Sequence, residues 1–355
     1  MPDFNRFRTA LLGGQPDRVP LAELKIEPEV KEQFLGVPAP DPADREATVR
    51  WEINFAVQAG YDYLRLPMPI TYPEAKTSLQ ATYAADGRVR RRDWAESHKG
   101  LVTNEAEFEA FPWPAPAQVD CTDLDLAARL LPPGMRLATA LKGGGIYERT
   151  WMMMGFETFC EALADQPALV GRIFARWGEF YWRTVERLAA HPVVGAIWMG
   201  DDLAYATGLM VSPRVYREHL FPWFRLIGET CRRRNLPFIY HSCGRLWEVI
   251  PDLLECGISA LHPIEPKAMD IREVKAEYGK RLCLMGNIDL GYTLTRGTPA
   301  EVEAEVRQRI RDIAPGGGYC LGSSNSVTEY VPIANYRAML EAVGRWGAYP
   351  ISAEV

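Results

Sequence analysis

The chain has no long uncharged apolar run. Nowhere do about 18 consecutive apolar residues stand together, which excludes an ordinary transmembrane helix. The opening Met1-Pro-Asp-Phe-Asn5 lacks the basic and apolar regions of a secretory signal, so the expectation is a soluble, cytoplasmic protein. Seven Cys, an odd number scattered without any CxxC, do not make a disulfide framework in 355 residues and suit a reducing compartment. There is no basic tract. The cationic runs Arg88 to Arg92 and Arg232 to Arg234 are short and the net charge is -6, which argues against a nucleic-acid partner. The run Lys142-Gly-Gly-Gly145 lacks the spacing of a Walker or dinucleotide fingerprint. Composition shows no break along the chain, and with 47% apolar residues one large domain over 1–355 is expected.

What is present is an alternation of strand-like and helix-like segments. Strands are expected at Leu21 to Ile26, Tyr61 to Pro67, Arg136 to Leu141, Val194 to Met199, Pro237 to Cys243, Ser259 to Leu261, Arg281 to Met285 and Gly317 to Leu321. Helical patterns separate them, with Asp44 as a cap and Gly60 as a stop in one instance. About eight such units point to an α/β fold, a (β/α)8 TIM barrel. Between Leu79 and Trp94, two short runs flank Asp86-Gly87 and predict a β-hairpin inserted on the barrel.

Chemistry-bearing residues gather at the C-terminal ends of the expected strands: Asp201 and Asp202, His241 and Cys243, His262 and Glu265, Asn287 and Asp289, Ser324 and Asn325. In a barrel these ends form one face. The focal stretch is Pro237-Phe-Ile-Tyr-His-Ser-Cys-Gly244. Period-two alternation puts His241 and Cys243 on one face of the strand, and both residue types are good zinc ligands. The aromatic residues Tyr147, Trp151 and Tyr205 are expected near the mouth of the pocket.

With these residues in hand, the chain resembles the uroporphyrinogen decarboxylase superfamily, best from about Asp201 to Asn335. The resemblance rests on Asp201-Asp-Leu-Ala-Tyr-Ala-Thr-Gly-Leu-Met-Val-Ser-Pro213, His241-Ser-Cys-Gly244, Gly286-Asn-Ile-Asp289 and Gly316-Gly-Gly-Tyr319. It is closer to the zinc-dependent methyltransferases that serve corrinoid proteins than to the true decarboxylases. The decarboxylases carry an arginine-rich loop after the first strand, where this chain reads Leu24-Lys-Ile-Glu-Pro-Glu-Val-Lys31. They also tend to end the last strand in Gly-His-Gly, where this chain has Gly322-Ser-Ser-Asn325. Glu27 and Glu29 would meet a polycarboxylate with the wrong charge.

The resemblance implies a zinc site of His241, Cys243 and Cys320, with Ser324 or a carboxylate from Asp201, Asp202 or Glu265 as the alternative third ligand. It implies Asp201, Asp202 and Asn287 as catalytic residues, and Tyr147, Trp151, Tyr205, Glu265 and Asn325 against the substrate. The expected reaction moves a methyl group between a small methylated substrate or thiol and a corrinoid (cobalamin) on a partner protein. The alternative is decarboxylation of uroporphyrinogen or a related acid. A homodimer is compatible with this reading.

Overall fold

The computed structural model describes residues 1–73, 77–83, 89–95 and 100–351. Its strands, in chain order, are β1 (Tyr63–Arg65), β2 (Thr77–Tyr83), β3 (Val89–Ala95), β4 (Arg136–Thr139), β5 (Val194–Gly200), β6 (Ala204–Tyr205), β7 (Gly208–Leu209), β8 (Phe238–His241), β9 (Ala260–His262), β10 (Cys283–Ile288) and β11 (Tyr319–Ser323). Seven of them form one parallel sheet in the order β1-β4-β5-β8-β9-β10-β11. All seven residues of β5 but the last are buried and all of β10 is buried, so both read as nearly continuous apolar runs, with Asn287 the polar exception, as strands covered on both faces do.

The covering layer is helical. Helix Arg45–Ala59 begins where the Asp44 carboxylate accepts the Ala47 N–H at 2.9 Å and stops at Gly60 in the left-handed region (φ +87°), as the sequence predicts. Helix Pro167–Ala189 starts on proline and buries a stripe through Leu169, Ile173, Trp177, Phe180 and Thr184. Among the described residues, no helix is long and apolar enough to cross a membrane. Helix Phe4–Leu11 plugs the lower end of the sheet, where the Phe7 ring stacks on Tyr63 at 4.3 Å. Above them Trp198 fills the middle, 5.8 Å from Tyr63 and 5.5 Å from His262 by ring centres.

The expected closure at eight ladders is not what the strands do. The segment expected as the first strand, Leu21 to Ile26, makes only isolated parallel bridges, Leu21 to Leu321 and Ile26 to Val327. Pro20 has no N–H to extend that pairing upstream. On its other side no backbone ladder joins the segment to β1 among the described residues. The Tyr63 hydroxyl bridges instead, accepting the Glu23 N–H at 2.9 Å and donating to the Glu23 carbonyl at 3.1 Å. The sheet is a curled seven-stranded array with a side-chain seam. The predicted hairpin is present as the antiparallel pair β2 and β3, with Ser78 opposite Trp94; its Asp86-Gly87 turn lies outside the described residues.

Candidate metal centre

β8 ends at His241, and the chain must then turn sharply. Gly244 adopts a left-handed φ of +86°, and a Cβ there would collide with the carbonyls of Ala204 and Tyr205, so only glycine fits. The turn is pinned from three sides. Ser242 N–H donates to the His262 carbonyl at 3.0 Å, Ser242 Oγ accepts the Leu203 N–H at 2.9 Å, and Cys243 N–H donates to Asp202 Oδ1 at 2.8 Å.

The result is a compact donor set. His241 Nε2 stands 3.8 Å from Cys243 Sγ and 3.6 Å from Asp202 Oδ1, and one donor atom from each of the three residues lies within 4.8 Å of the others. A tetrahedral zinc with ordinary bond lengths sets such atoms roughly 3.4–3.6 Å apart, so the two distances from His241 need only a small contraction, while the Asp202 to Cys243 separation, within 4.8 Å, needs to close by at most about 1.3 Å. His241 Nδ1 shares a 2.7 Å hydrogen bond with His262 Nδ1, which leaves Nε2 facing the other two donors. Burial holds both imidazoles below their ordinary value, and the neutral form is the one that binds metal. Burial, with Asp202 and Glu265 nearby, pushes the Cys243 thiol up, so a bound cation is what would make it a thiolate. Asn325 Nδ2 donates to Cys243 Sγ at 3.0 Å.

Above this group lies a cavity of about 580 Å³, which runs to the Tyr63 seam and is lined in part by Glu23, Arg65, Glu148, Asp202 and His241. Burial and the Asp202 charge raise Glu148.

Of the residues named from the sequence, Asp202, His241, Cys243, His262 and Asn325 come together. The others do not. Asp201 is wholly buried and accepts the N–H groups of Tyr147 at 2.9 Å and Glu148 at 2.8 Å; it caps helix Ile146–Met154 and is not one of the donor set. Cys320 is the largest departure. Its Sγ lies 3.9 Å from Cys283 Sγ inside the sheet, five residues before Asn325, the β11-side residue that does reach Cys243. Ser324 Oγ accepts the Leu290 N–H at 3.1 Å, and Glu265 Oε2 accepts the Gly244 N–H at 3.1 Å, a step behind the cluster. Asn287, at φ +82°, holds the Ile264 carbonyl through Nδ2. Tyr147 packs in the core against Tyr216 at 5.1 Å, Trp151 packs against Phe156 at 5.5 Å, and Tyr205 is 56% exposed. Glu27 and Glu29 do not line the cavity; Lys25 and Lys31 from the same stretch do.

Residues 5–346 match the family described as Uroporphyrinogen decarboxylase (URO-D). The chain belongs to that family. Within it, this URO-D chain is 26% identical over 133 residues to "Methylcobamide:CoM methyltransferase MtaA" of Methanosarcina barkeri, a match covering 38% of the chain and 37% of that relative. It is 31% identical over 105 residues to "Uroporphyrinogen decarboxylase" of Methylobacillus flagellatus, covering 30% and 28%. The chain thus matches well under half the length of these curated relatives. In three dimensions it superposes on a methyltransferase from Methanosarcina mazei with a TM-score of 0.69 at 17% identity, covering 96% of this chain and 97% of that one, a likeness of fold.

Arg65, Glu23 and Glu148 were not singled out from the sequence. Arg65 and Glu23 are charged residues interrupting apolar runs, and that interruption is the signal that could have found them; Glu148, beside Arg149 and Thr150, carries no such signal.

Proposed function

We propose that this URO-D family member is a zinc-dependent methyltransferase working between a corrinoid carried by a partner protein and a small thiol or methylated compound. The observation that carries the reading is the Asp202, His241 and Cys243 donor set, whose chemistry and spacing fit zinc with one position left for substrate. Zinc bound there would supply Lewis-acid polarisation of a substrate sulfur or oxygen. The chain's own residues do the rest: His262 fixes the orientation of the His241 ring, Asn325 donates a hydrogen bond to the Cys243 sulfur, and Asp202 ties the Cys243 backbone to the end of β5. The methylcobamide in the name of the M. barkeri relative supports a corrinoid partner.

Decarboxylation, the alternative, would leave the donor set without a use. Glu27 and Glu29 do not line the cavity, so their charge does not bear on that alternative. Metal analysis of protein purified without chelator and supplied with zinc tests the proposal, together with methyl transfer from methylcobalamin to a small thiol. About one zinc per chain and measurable transfer are expected. No zinc uptake, or carbon dioxide release from uroporphyrinogen at an ordinary enzyme rate, would overturn it.

A further inference from the structure

Consecutive residues of a strand point to opposite faces of its sheet. In β1, Tyr63 and Arg65 point inward, where both meet Trp198, at 5.8 Å and 5.1 Å from its ring centre. Leu64, between them, points outward to the helices. All three nevertheless line the same cavity, as do the consecutive residues Glu23, Leu24, Lys25 and Ile26 across the seam. A cavity touches both faces of a strand only where it rounds the strand's edge. That edge is free here, because among the described residues no ladder joins β1 to the 21–26 segment. The cavity therefore leaves the barrel through its wall. Outside, it is lined by Pro28 and Lys31 of helix Pro28–Leu35 and by Glu52, Phe55 and Ala56 of helix Arg45–Ala59.

The polar groups of this outer arm are already engaged. The Tyr61 hydroxyl shares a 2.8 Å hydrogen bond with that of Tyr336, the Tyr63 hydroxyl is held by the Glu23 backbone, and Lys31 Nζ donates to both Glu52 oxygens at 2.7 and 2.6 Å. The surface left for a ligand is that of Ile26, Phe55, Ala56 and Leu64. A polar occupant would lose its water there with nothing in return, whereas an apolar one gains by leaving water. Size points the same way. At roughly 30 Å³ per water-sized group, a cavity of about 580 Å³ has room for on the order of 20 non-hydrogen atoms, far more than a two-carbon thiol supplies.

We infer that the substrate carries an apolar body, which lies through the gap in the barrel wall against Ile26, Phe55, Ala56 and Leu64 while its reacting heteroatom lies at Asp202, His241 and Cys243. The substrate class is thus a thiol or methylated compound with an alkyl chain or ring, not a compact polar one. The Lys31 and Glu52 side chains, 12% and 21% exposed, close the far end. The inference rests on the proposed function only for which end of the substrate reacts.

The test uses the full chain, zinc-supplied with ethanethiol, butanethiol and hexanethiol, and chelator-treated with ethanol, butanol and hexanol. Calorimetric titration is expected to show one site per chain in both series, with each added methylene tightening binding roughly threefold to fourfold. Ala56→Leu, which extends a side chain into the outer arm, should weaken the hexyl compounds at least about tenfold and leave zinc content and ethanethiol binding unchanged. Should that variant fail to fold, Ile26→Ala takes its place. It removes part of the wall and should weaken the hexyl compounds at least about threefold, again without touching the ethyl ones. A flat series in the wild type, or a chain-length gain that survives the substitution intact, would overturn the inference. Protein that takes up no zinc but binds hexanol at one Ala56-dependent site would sink the metal reading and leave the apolar arm standing; protein that takes up zinc and shows a flat series would do the reverse.

Discussion

Replacing Glu23 with glutamine should change how stability depends on pH. Glu23 sits in the irregular segment at the seam, 3% exposed, with Oε1 accepting the Ser323 N–H at 2.7 Å and Oε2 accepting from Ser323 Oγ at 2.6 Å. Burial raises its carboxyl from an ordinary 4.5 to about 8, against the opposing pull of the two Ser323 hydrogen bonds. The folded chain therefore holds a proton that the unfolded chain releases above about pH 4.5, and the associated stability is full below that pH and lost as pH rises through about 8. At about 1.4 kcal/mol per pH unit the full effect is on the order of 5 kcal/mol. Glutamine keeps the shape, accepts the Ser323 N–H through its oxygen and donates to Ser323 Oγ through its nitrogen. Urea denaturation of both proteins from pH 5 to 8.5 isolates the Glu23 contribution as the difference between them. The two should agree within about 1 kcal/mol at pH 5 and diverge in favour of Glu23→Gln by about 2–5 kcal/mol at pH 8.5. Parallel curves across that window would refute the reasoning.

Cys243→Ala should remove most of the bound zinc while leaving the circular dichroism spectrum intact, whereas Cys320→Ala should keep full zinc, because its thiol faces Cys283 and not the donor set; inductively coupled plasma measurements on the two variants decide this. Gly145→Ala would drive a methyl group into the Asp201 carboxylate and displace it from the start of helix Ile146–Met154, so thermal unfolding should show a loss of at least about 2 kcal/mol.

The strand end carrying His241 and Cys243 was legible because alternation with period two fixes a face and Gly244 marks the turn. Depth was not legible. Cys320 has the right chemistry and comes from the strand beside the right face, yet face says nothing of height along a tilted sheet, and the residue level with Cys243 on that side is Asn325. Asp201 and Asp202 look equivalent as letters, but neighbouring side chains diverge. One turns to the free N–H groups of the following helix and the other to the cavity, and no local pattern says which. Tyr147 and Trp151 sit on a helix apolar on more than one side, so their facing depended on packing. The run from Leu21 to Ile26 has strand-like composition, but whether it pairs on both edges depends on β1, about forty residues away, and the answer is that it pairs on one.

In a sheet laced throughout by amides, neighbouring strands stand about 4.8 Å apart whatever side chains they carry. The junction bridged by Tyr63 is free of that spacing rule, since a phenol and the residues around it set its width. The cavity opens along this junction. Its calibre can therefore be retuned by exchanging side chains on the flanking segments, with every ladder of the sheet left as it is.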